Sequence, residues 1–401
     1  MDERLPDPDL FRQGTFKLIA RLSGIGDMRA TPEQVASFRA FAETGDPEAD
    51  AVVALMRQRP ASKDLFDRAL EHGIASVKRP PKALKDFFEG VESTPYWLDL
   101  ERVDRGARAI TRTGLLGLFP LGDMSLMGGY LASRATKPLV ATGEIEHMAG
   151  RRLVETAAWW IDVTTPGSLR RHETGYRATL RVRLVHAYVR EAMNRRQDWD
   201  YAAWDRPINQ LQTVGTLLLF SLVFVLGTQF LGIRYTERER GDIIHLWRYV
   251  GWLIGIDDEL LPASEQDAWR LLWLLAATEF VPDEDSKRLA SALRATHESA
   301  GRGAVGKVLG HVSGRVHASI SRLVLGNTNA DFLGLPDDPV AQGAVLAAAA
   351  VNFAAETARR RIPGATSLQE FVGTLGRRRY VTRLEKVFQL DPTYARHMRA
   401  A

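Results

Sequence analysis

The chain has 401 residues, 53 basic and 49 acidic side chains, and no cysteine. Without a thiol, the protein cannot contain a disulfide, an iron–sulfur cluster, a cysteine-ligated zinc site or a thiolate-ligated haem. The formal charge of +4 is spread thinly over the chain, so the composition gives no reason to expect a nucleic-acid partner. The acidic, proline-containing start MDERLPDPDLF does not have the form of a signal peptide and predicts a cytoplasmic protein.

Helical periodicity dominates the predicted elements. Apolar residues recur at spacings of three and four in 35–42, 49–57, 83–91 and 100–113, and Asp46-Pro47 is typical of a helix start. Alternating apolar and polar residues are hard to find, so the fold class is predicted to be all-α. We predict one all-helical domain over 1–401. It consists of an N-terminal helical part (about 1–100), a core (101–335) and C-terminal helices (336–401).

The segment 207–233 contains no charged residue and is long enough to cross a bilayer. It could equally be a central helix that is buried on all sides in a large helical domain. Arg206 and Arg234 flank it symmetrically, so charge gives no orientation for a span. We favour the buried helix and expect no stable membrane insertion, with Gly227 and Gly232 at close helix contacts. The alternative is a membrane-associated scaffold protein that uses this segment as an anchor.

His186 is a lone histidine on an apolar helical stripe with Val182, Val189 and Met193. One interpretation is a core histidine that hydrogen-bonds to a carbonyl. The other is an axial haem ligand, which needs a neutral imidazole in an apolar pocket. Arg183 and Arg190, one turn to either side, are then candidates for contacts with the haem propionates.

A second group shares one face of a predicted helix: Arg152, Glu155, Thr156 and Trp159. Arg152 and Glu155 could simply form a surface ion pair of little energetic weight. Alternatively, the group is the polar wall of a pocket, where Arg152 and Thr156 could hydrogen-bond dioxygen and Glu155 could move a proton. Desolvation beside Trp159 is expected to raise the pKa of Glu155.

Four weaker signals complete the set of candidate sites. Glu144 and His147 form an E-x-x-H motif, but a di-iron site needs two such motifs and the chain has only one. A non-haem di-iron oxidase therefore remains an alternative function with little support. The glycine-rich stretch 301–307 lacks the hydroxyl residue and preceding strand of a phosphate-binding loop, so we predict a helix–helix loop. His245 is predicted in a core helix, and the acidic run 257–259 at a helix start.

The segments around these candidates resemble the latex clearing proteins, which belong to a superfamily with the MpaB-type oxygenases. The resemblance rests on R-x-x-x-T at 152–156, followed about thirty residues later by RLVHAYVR at 183–190. Further similar segments are GDPEADAVV from 45, PYWLD from 95, GDIIHLWRYVG from 241 and GIDDELLP from 255. Together they extend over nearly the whole chain.

The resemblance implies a globin-like helical core around a b-type haem. His186 would be the proximal iron ligand, Arg152 and Thr156 would lie on the distal side, and dioxygen would be the co-substrate. The family reaction is dioxygenase cleavage of carbon–carbon double bonds in polyisoprene. A smaller isoprenoid or other apolar alkene fits a cytoplasmic enzyme better. The oligomeric state is left open.

Two positions depart from the family pattern. Some latex clearing proteins carry a lysine just before the threonine, where this chain has Glu155. A further distal glutamate of those proteins would fall near Thr136, where no acid stands. Glu155 is therefore the candidate acid or base in this chain.

Overall fold

The computed structural model describes residues 4–22, 24–141, 145–298 and 303–388, and within these ranges it contains helices and no strand. The all-α prediction is confirmed. The α-helices are α1 Asp9–Arg12, α2 Gly14–Leu22, α3 Pro32–Ala40, α4 Pro47–Gln58, α5 Ser62–His72, α6 Lys82–Glu92, α7 Leu100–Thr111, α8 Met127–Gly129, α9 Ser133–Ala141, α10 Ile145–Val163, α11 Thr174–Asn194, α12 Tyr201–Trp204, α13 Gln210–Phe220, α14 Leu222–Phe230, α15 Glu237–Leu253, α16 Glu265–Thr278, α17 Glu284–Glu298, α18 Gly303–Phe332, α19 Pro339–Arg359 and α20 Ala365–Phe388.

Several helix starts follow directly from local capping chemistry. The Asp46 carboxylate accepts a hydrogen bond from the Ala49 amide and Pro47 opens α4, as predicted. The acidic run 257–259 forms a short 3₁₀ turn capped by Asp257. The glycine-rich stretch differs from the prediction, because α18 already begins at Gly303. Residues 303–307 are therefore helical, and residues 301 and 302 of this stretch lie outside the described residues.

The apolar segment 207–233 forms two helices, α13 and α14, which are separated by a break at Ser221. Gly227 packs so closely on Pro120 that a Cβ atom would lie 2.8 Å from the proline Cβ, and Gly232 packs on the backbone of α19. Both predicted close contacts are present. A side chain at either position would clash with these neighbours, so both close contacts depend on glycine.

Two helical stretches of the described chain are long and apolar enough to cross a membrane. They are Gln210–Phe230, which contains the break at Ser221, and Pro339–Arg359. A third would arise if the sharply bent pair Gly114–Gly129 and Ser133–Ala141 counted as one span. The first stretch is 72% buried inside the protein and the second only 22%. Burial of the first stretch supports the interpretation as a central helix, since its apolar side chains already have protein partners.

The aromatic core joins helices that are distant in sequence. Trp159 of α10 packs edge-on against Phe220 of α13, and the Phe220 ring stacks on Trp247 of α15 with centroids 5.8 Å apart. Next to this cluster, α7 and α15 approach closely at Gly106, where a Cβ atom would lie 2.5 Å from the Asp242 carbonyl oxygen. These contacts fix α10 and α13 around the region that contains the candidate site.

Candidate functional site

One face of α11 borders a space inside the protein. Four of its side chains are partly accessible although the residues between them are buried: Val182, Val185, His186 and Val189. They follow helical spacing, so they form a single strip. Burial nevertheless lowers the pKa of His186 to about 4, with Arg190 and Arg152 adding to the shift. A side chain that is accessible yet desolvated lines an enclosed space rather than the outer surface.

A second strip of accessible side chains lies on α10, and this strip is polar. Arg152 is accessible over more than a third of its surface, yet burial lowers the pKa of its guanidinium. Glu155 and Thr156 follow on the same face and are half-buried. Helix α10 packs against α11, and the charge of Arg152 contributes to the lowered pKa of His186. We infer that the polar strip of α10 and the apolar strip of α11 border the same space.

The ion pair on α10 differs from the one that the sequence suggested. Glu155 accepts a hydrogen bond from Arg151 Nε at 2.7 Å, and both side chains are largely buried. Arg152, the partner that the sequence suggested, is attracted to Glu155 electrostatically. Arg151 holds the Glu155 carboxylate, while the Arg152 side chain stays accessible on the same helix. Trp159 turns away from this polar group into the aromatic core.

Tyr130 is a further member of the site that sequence reasoning missed. Burial raises the pKa of its hydroxyl, and the positive charge of Arg152 opposes that shift. The preceding residue, Gly129, packs against Leu219 of α13, where a Cβ atom would lie 2.9 Å from Leu219 Cδ1. Leu219 ends an accessible strip on α13 that also includes Thr216. No motif marks Tyr130, because only tertiary packing brings it to Arg152.

Arg183 and Arg190 are bound to acids of α4 and its cap. Arg183 donates to Asp46 at 2.6 and 2.9 Å and to Glu48 at 3.0 Å. Arg190 Nε donates to Asp50 at 2.8 Å, and Arg190 Nη1 donates to the Ile208 carbonyl. These contacts give both arginines a role in fixing α11 against α4. Their predicted contacts with haem propionates stay a prediction.

The remaining sequence candidates lie elsewhere or outside the described side chains. His245 is buried, and its Nε2 accepts a hydrogen bond from the Asp99 amide at 3.1 Å, in agreement with the core prediction. Glu144 and the side chain of His147 are outside the described part of the structure. Thr136, where the family pattern would place an acid, is buried and donates to the Ser133 carbonyl.

A second polar cluster was not identified from the sequence. Asp123, His297 and His317 each offer one ligand atom, and these atoms lie within 4.8 Å of one another. Burial raises the pKa of Asp123 to about 6, although His317 opposes this shift. One feature of the sequence could have indicated this cluster: Asp123 is the only charged residue in the apolar stretch 114–131. A lone charge in such a stretch requires a partner.

Residues 111–356 match the family described as ER-bound oxygenase mpaB/B'/Rubber oxygenase, catalytic domain. The chain belongs to this oxygenase family. The predicted resemblance is thereby confirmed. A rubber oxygenase from Streptomyces sp. (strain K30) is 24% identical over 309 residues, which cover 74% of this chain and 72% of the relative.

A solved structure shows the same fold. The latex clearing protein LCP in its closed state superposes with a TM-score of 0.65 and 20% identity, over 85% of this oxygenase and 91% of that chain. Family membership assigns oxygenase activity to this chain. The candidate residues Arg152, Glu155, Thr156 and His186 all lie within the matched segment, so the space between α10 and α11 is the candidate active site of the oxygenase.

Proposed function

We propose that this oxygenase binds a b-type haem through His186 and uses dioxygen to cleave a carbon–carbon double bond of an apolar, isoprenoid-like substrate. The main support for this proposal is the imidazole of His186 at the centre of the apolar strip of α11. It is partly accessible, yet burial lowers its pKa. Its lowered pKa keeps the ring neutral at neutral pH, and a neutral imidazole is the form that ligates iron. When bound, haem would supply an iron that binds and activates dioxygen.

The donor set fits this cofactor. The valines beside His186 would offer a bound haem an apolar surface and would exclude water from it. The chain has no cysteine, so an axial ligand must be a histidine or another non-thiolate group. His245 is less well placed as an iron ligand than His186, since its Nε2 already accepts a backbone hydrogen bond.

The polar strip of α10 would act on the oxygen atoms of the co-substrate and the product. Arg152 and Thr156 can donate hydrogen bonds to them, and the buried Tyr130 hydroxyl lies close to Arg152. Such donors are most effective in a site from which water is excluded. Arg151 holds the Glu155 carboxylate beside them. Glu155 is therefore the candidate acid or base of this strip.

The substrate class follows from the walls of the site and from the relatives. Since the space is bordered by valines and leucine on one side, it suits an apolar chain that carries no charge. We propose a smaller isoprenoid or related alkene as the substrate, in cytoplasmic surroundings, without a nucleic-acid partner and without stable membrane insertion. The burial of Gln210–Phe230 supports the last point, and membrane fractionation without detergent tests it.

An absorption spectrum and a pyridine haemochrome assay on the purified full chain test the cofactor. We expect a Soret band and about one haem per chain. The variant His186→Ala should lose the haem, whereas His311→Ala, at an exposed position of α18, should keep it. A colourless protein from haem-supplemented cells would contradict the proposal. Two irons per chain without porphyrin would instead support the di-iron alternative.

A further inference from the structure

Three polar side chains that have no role in the proposed haem site converge from three separate helical segments. Asp123 lies in a wide helical turn, 120–126, whose hydrogen bonds follow the π pattern. His297 comes from the last turns of α17, and His317 from the middle of α18. Their ligand atoms lie within 4.8 Å of one another. Turns of this π type occur frequently at functional sites, because the extra residue redirects side chains.

The Asp123 carboxylate is incompletely satisfied by its protein partner. Asp123 is 1% exposed, and His317 Nδ1 lies 2.7 and 2.9 Å from its two oxygens. A single N–H group is therefore shared between both oxygens, and no other hydrogen-bond donor to them occurs among the described residues. A buried carboxylate can accept about four hydrogen bonds and is costly to leave under-coordinated.

The second histidine carries a polar atom without a partner. The His297 ring stacks on the His317 ring with centroids 3.7 Å apart and an angle of 13° between the planes. Its Nε2 atom is buried and has no hydrogen-bond partner in the described structure. Stacking two imidazoles gives no reason for a buried, unsatisfied nitrogen at this position. A bound cation would explain this nitrogen, because the cation would accept its lone pair.

We propose that Asp123, His297 and His317 form a binding site for one divalent transition-metal ion, most simply Zn²⁺. Two imidazole nitrogens and one carboxylate oxygen are a common protein donor set for Zn²⁺, which leaves a fourth position for water. Binding requires the His297 ring to rotate so that its Nε2 lone pair points at the same ion as His317 Nδ1. The proton shared between His317 and Asp123 is released at the same time.

The position in the fold indicates a structural role for this ion. Thr296, next to His297, packs on Gly150 of α10, where a Cβ atom would lie 3.3 Å from the threonine methyl. Gly150 lies half a turn before Arg152, and Asp123 lies two turns before Tyr130. A metal ion would therefore tie α17 and α18 to the segment that carries Tyr130, behind the polar strip of the candidate active site.

Zinc analysis tests this site independently of haem. The full-chain protein is treated with a chelator, dialysed and titrated with ZnCl₂, and bound zinc is measured by inductively coupled plasma mass spectrometry. We expect one zinc per chain, release of about one proton, and an increase in melting temperature with zinc concentration. Haem iron is counted separately, so failure of the haem proposal leaves this result unaffected.

Three variants and one control locate the ion. Asp123→Asn, His317→Gln and His297→Gln should each weaken zinc binding by about 100-fold or more, since even loss of an outer-shell partner costs about 10–100-fold. His297→Gln removes no hydrogen bond that the structure shows, so it remains informative if Asp123→Asn folds poorly. The control His311→Gln, exposed on α18, should bind zinc like the wild type. Absence of zinc binding in the wild type, or equal binding in all variants, would overturn the proposal.

Discussion

Arg183 of α11 and Asp46, the cap of α4, form a two-pronged ion pair in the protein interior, with nitrogen–oxygen distances of 2.6 and 2.9 Å. Arg183 is 5% exposed and Asp46 is 7% exposed. The Arg183 guanidinium also lies over the ring of Phe87. The pair thus connects the helix that carries His186 to the N-terminal helices, and it lies only one turn from the proposed iron ligand.

Removal of one partner of this pair should destabilise the protein strongly. Arg183→Met leaves the Asp46 carboxylate buried without its counter-charge, and such losses cost about 3–5 kcal/mol of unfolding free energy. Urea denaturation followed by circular dichroism measures the change. The control is Arg181→Met, whose ion pair with Asp67 is partly exposed and should cost less than about 1 kcal/mol. Equal losses in both variants would contradict the assignment of a buried structural pair.

Acid sensitivity should depend on His245. Burial lowers the pKa of His245 to about 4, with Arg102 adding to the shift, from an ordinary value of 6.5. Between these pH values the unfolded chain binds a proton that the folded chain does not, so the unfolding free energy falls as the pH falls. His245→Gln removes this contribution. The slope of unfolding free energy against pH should decrease by at most about 1.4 kcal/mol per pH unit.

Urea titrations between pH 6.5 and 4 measure that slope. A residual slope is expected in the variant, because burial also lowers the pKa values of His186 and His297. The matched control is His72→Gln, since the His72 side chain is 67% exposed and its loss should leave the slope unchanged. If His245→Gln and His72→Gln behave alike, His245 is not buried in its neutral form.

Arg152 should be required for turnover and dispensable for cofactor binding. Arg152→Met removes the guanidinium hydrogen-bond donors from the polar strip of α10, and loss of one such donor in an active site typically costs about 100-fold in kcat. Oxygen consumption and carbonyl products from a cis-1,4-isoprene oligomer measure the activity, and the pyridine haemochrome assay measures haem. The control Arg181→Met should retain both. Unchanged turnover in Arg152→Met would remove Arg152 from the proposed mechanism.

Substitution by alanine should change the stability of the protein in opposite directions at Gly106 and Gly343. Gly106→Ala forces a methyl group to within 2.5 Å of the Asp242 carbonyl oxygen, and such overpacking costs about 1–3 kcal/mol of stability. Gly343 lies in α19 at an exposed position with open space around it. Gly343→Ala should therefore stabilise the protein by about 0.5–1 kcal/mol, because alanine favours helix. Differential scanning calorimetry of both variants checks the opposite signs.

The sequence determined the features that depend on neighbours within one or two helical turns. Periodicity and caps such as Asp46-Pro47 gave the all-helical class, and the spacing around His186 placed it on an apolar strip. The order of the motifs indicated the oxygenase family. These signals are readable because hydrogen bonds and side-chain contacts between residues i and i+4 depend only on the local chain.

Tertiary structure decided which charged groups meet. Arg151 and Arg152 are adjacent in sequence and lie four and three residues before Glu155, yet it is Arg151 that forms the close ion pair with the carboxylate. Asp123 and His317 are 194 residues apart, and no local pattern connects them. Contacts of this kind follow from the positions of whole helices, which are fixed by burial of large side chains far from the polar groups themselves.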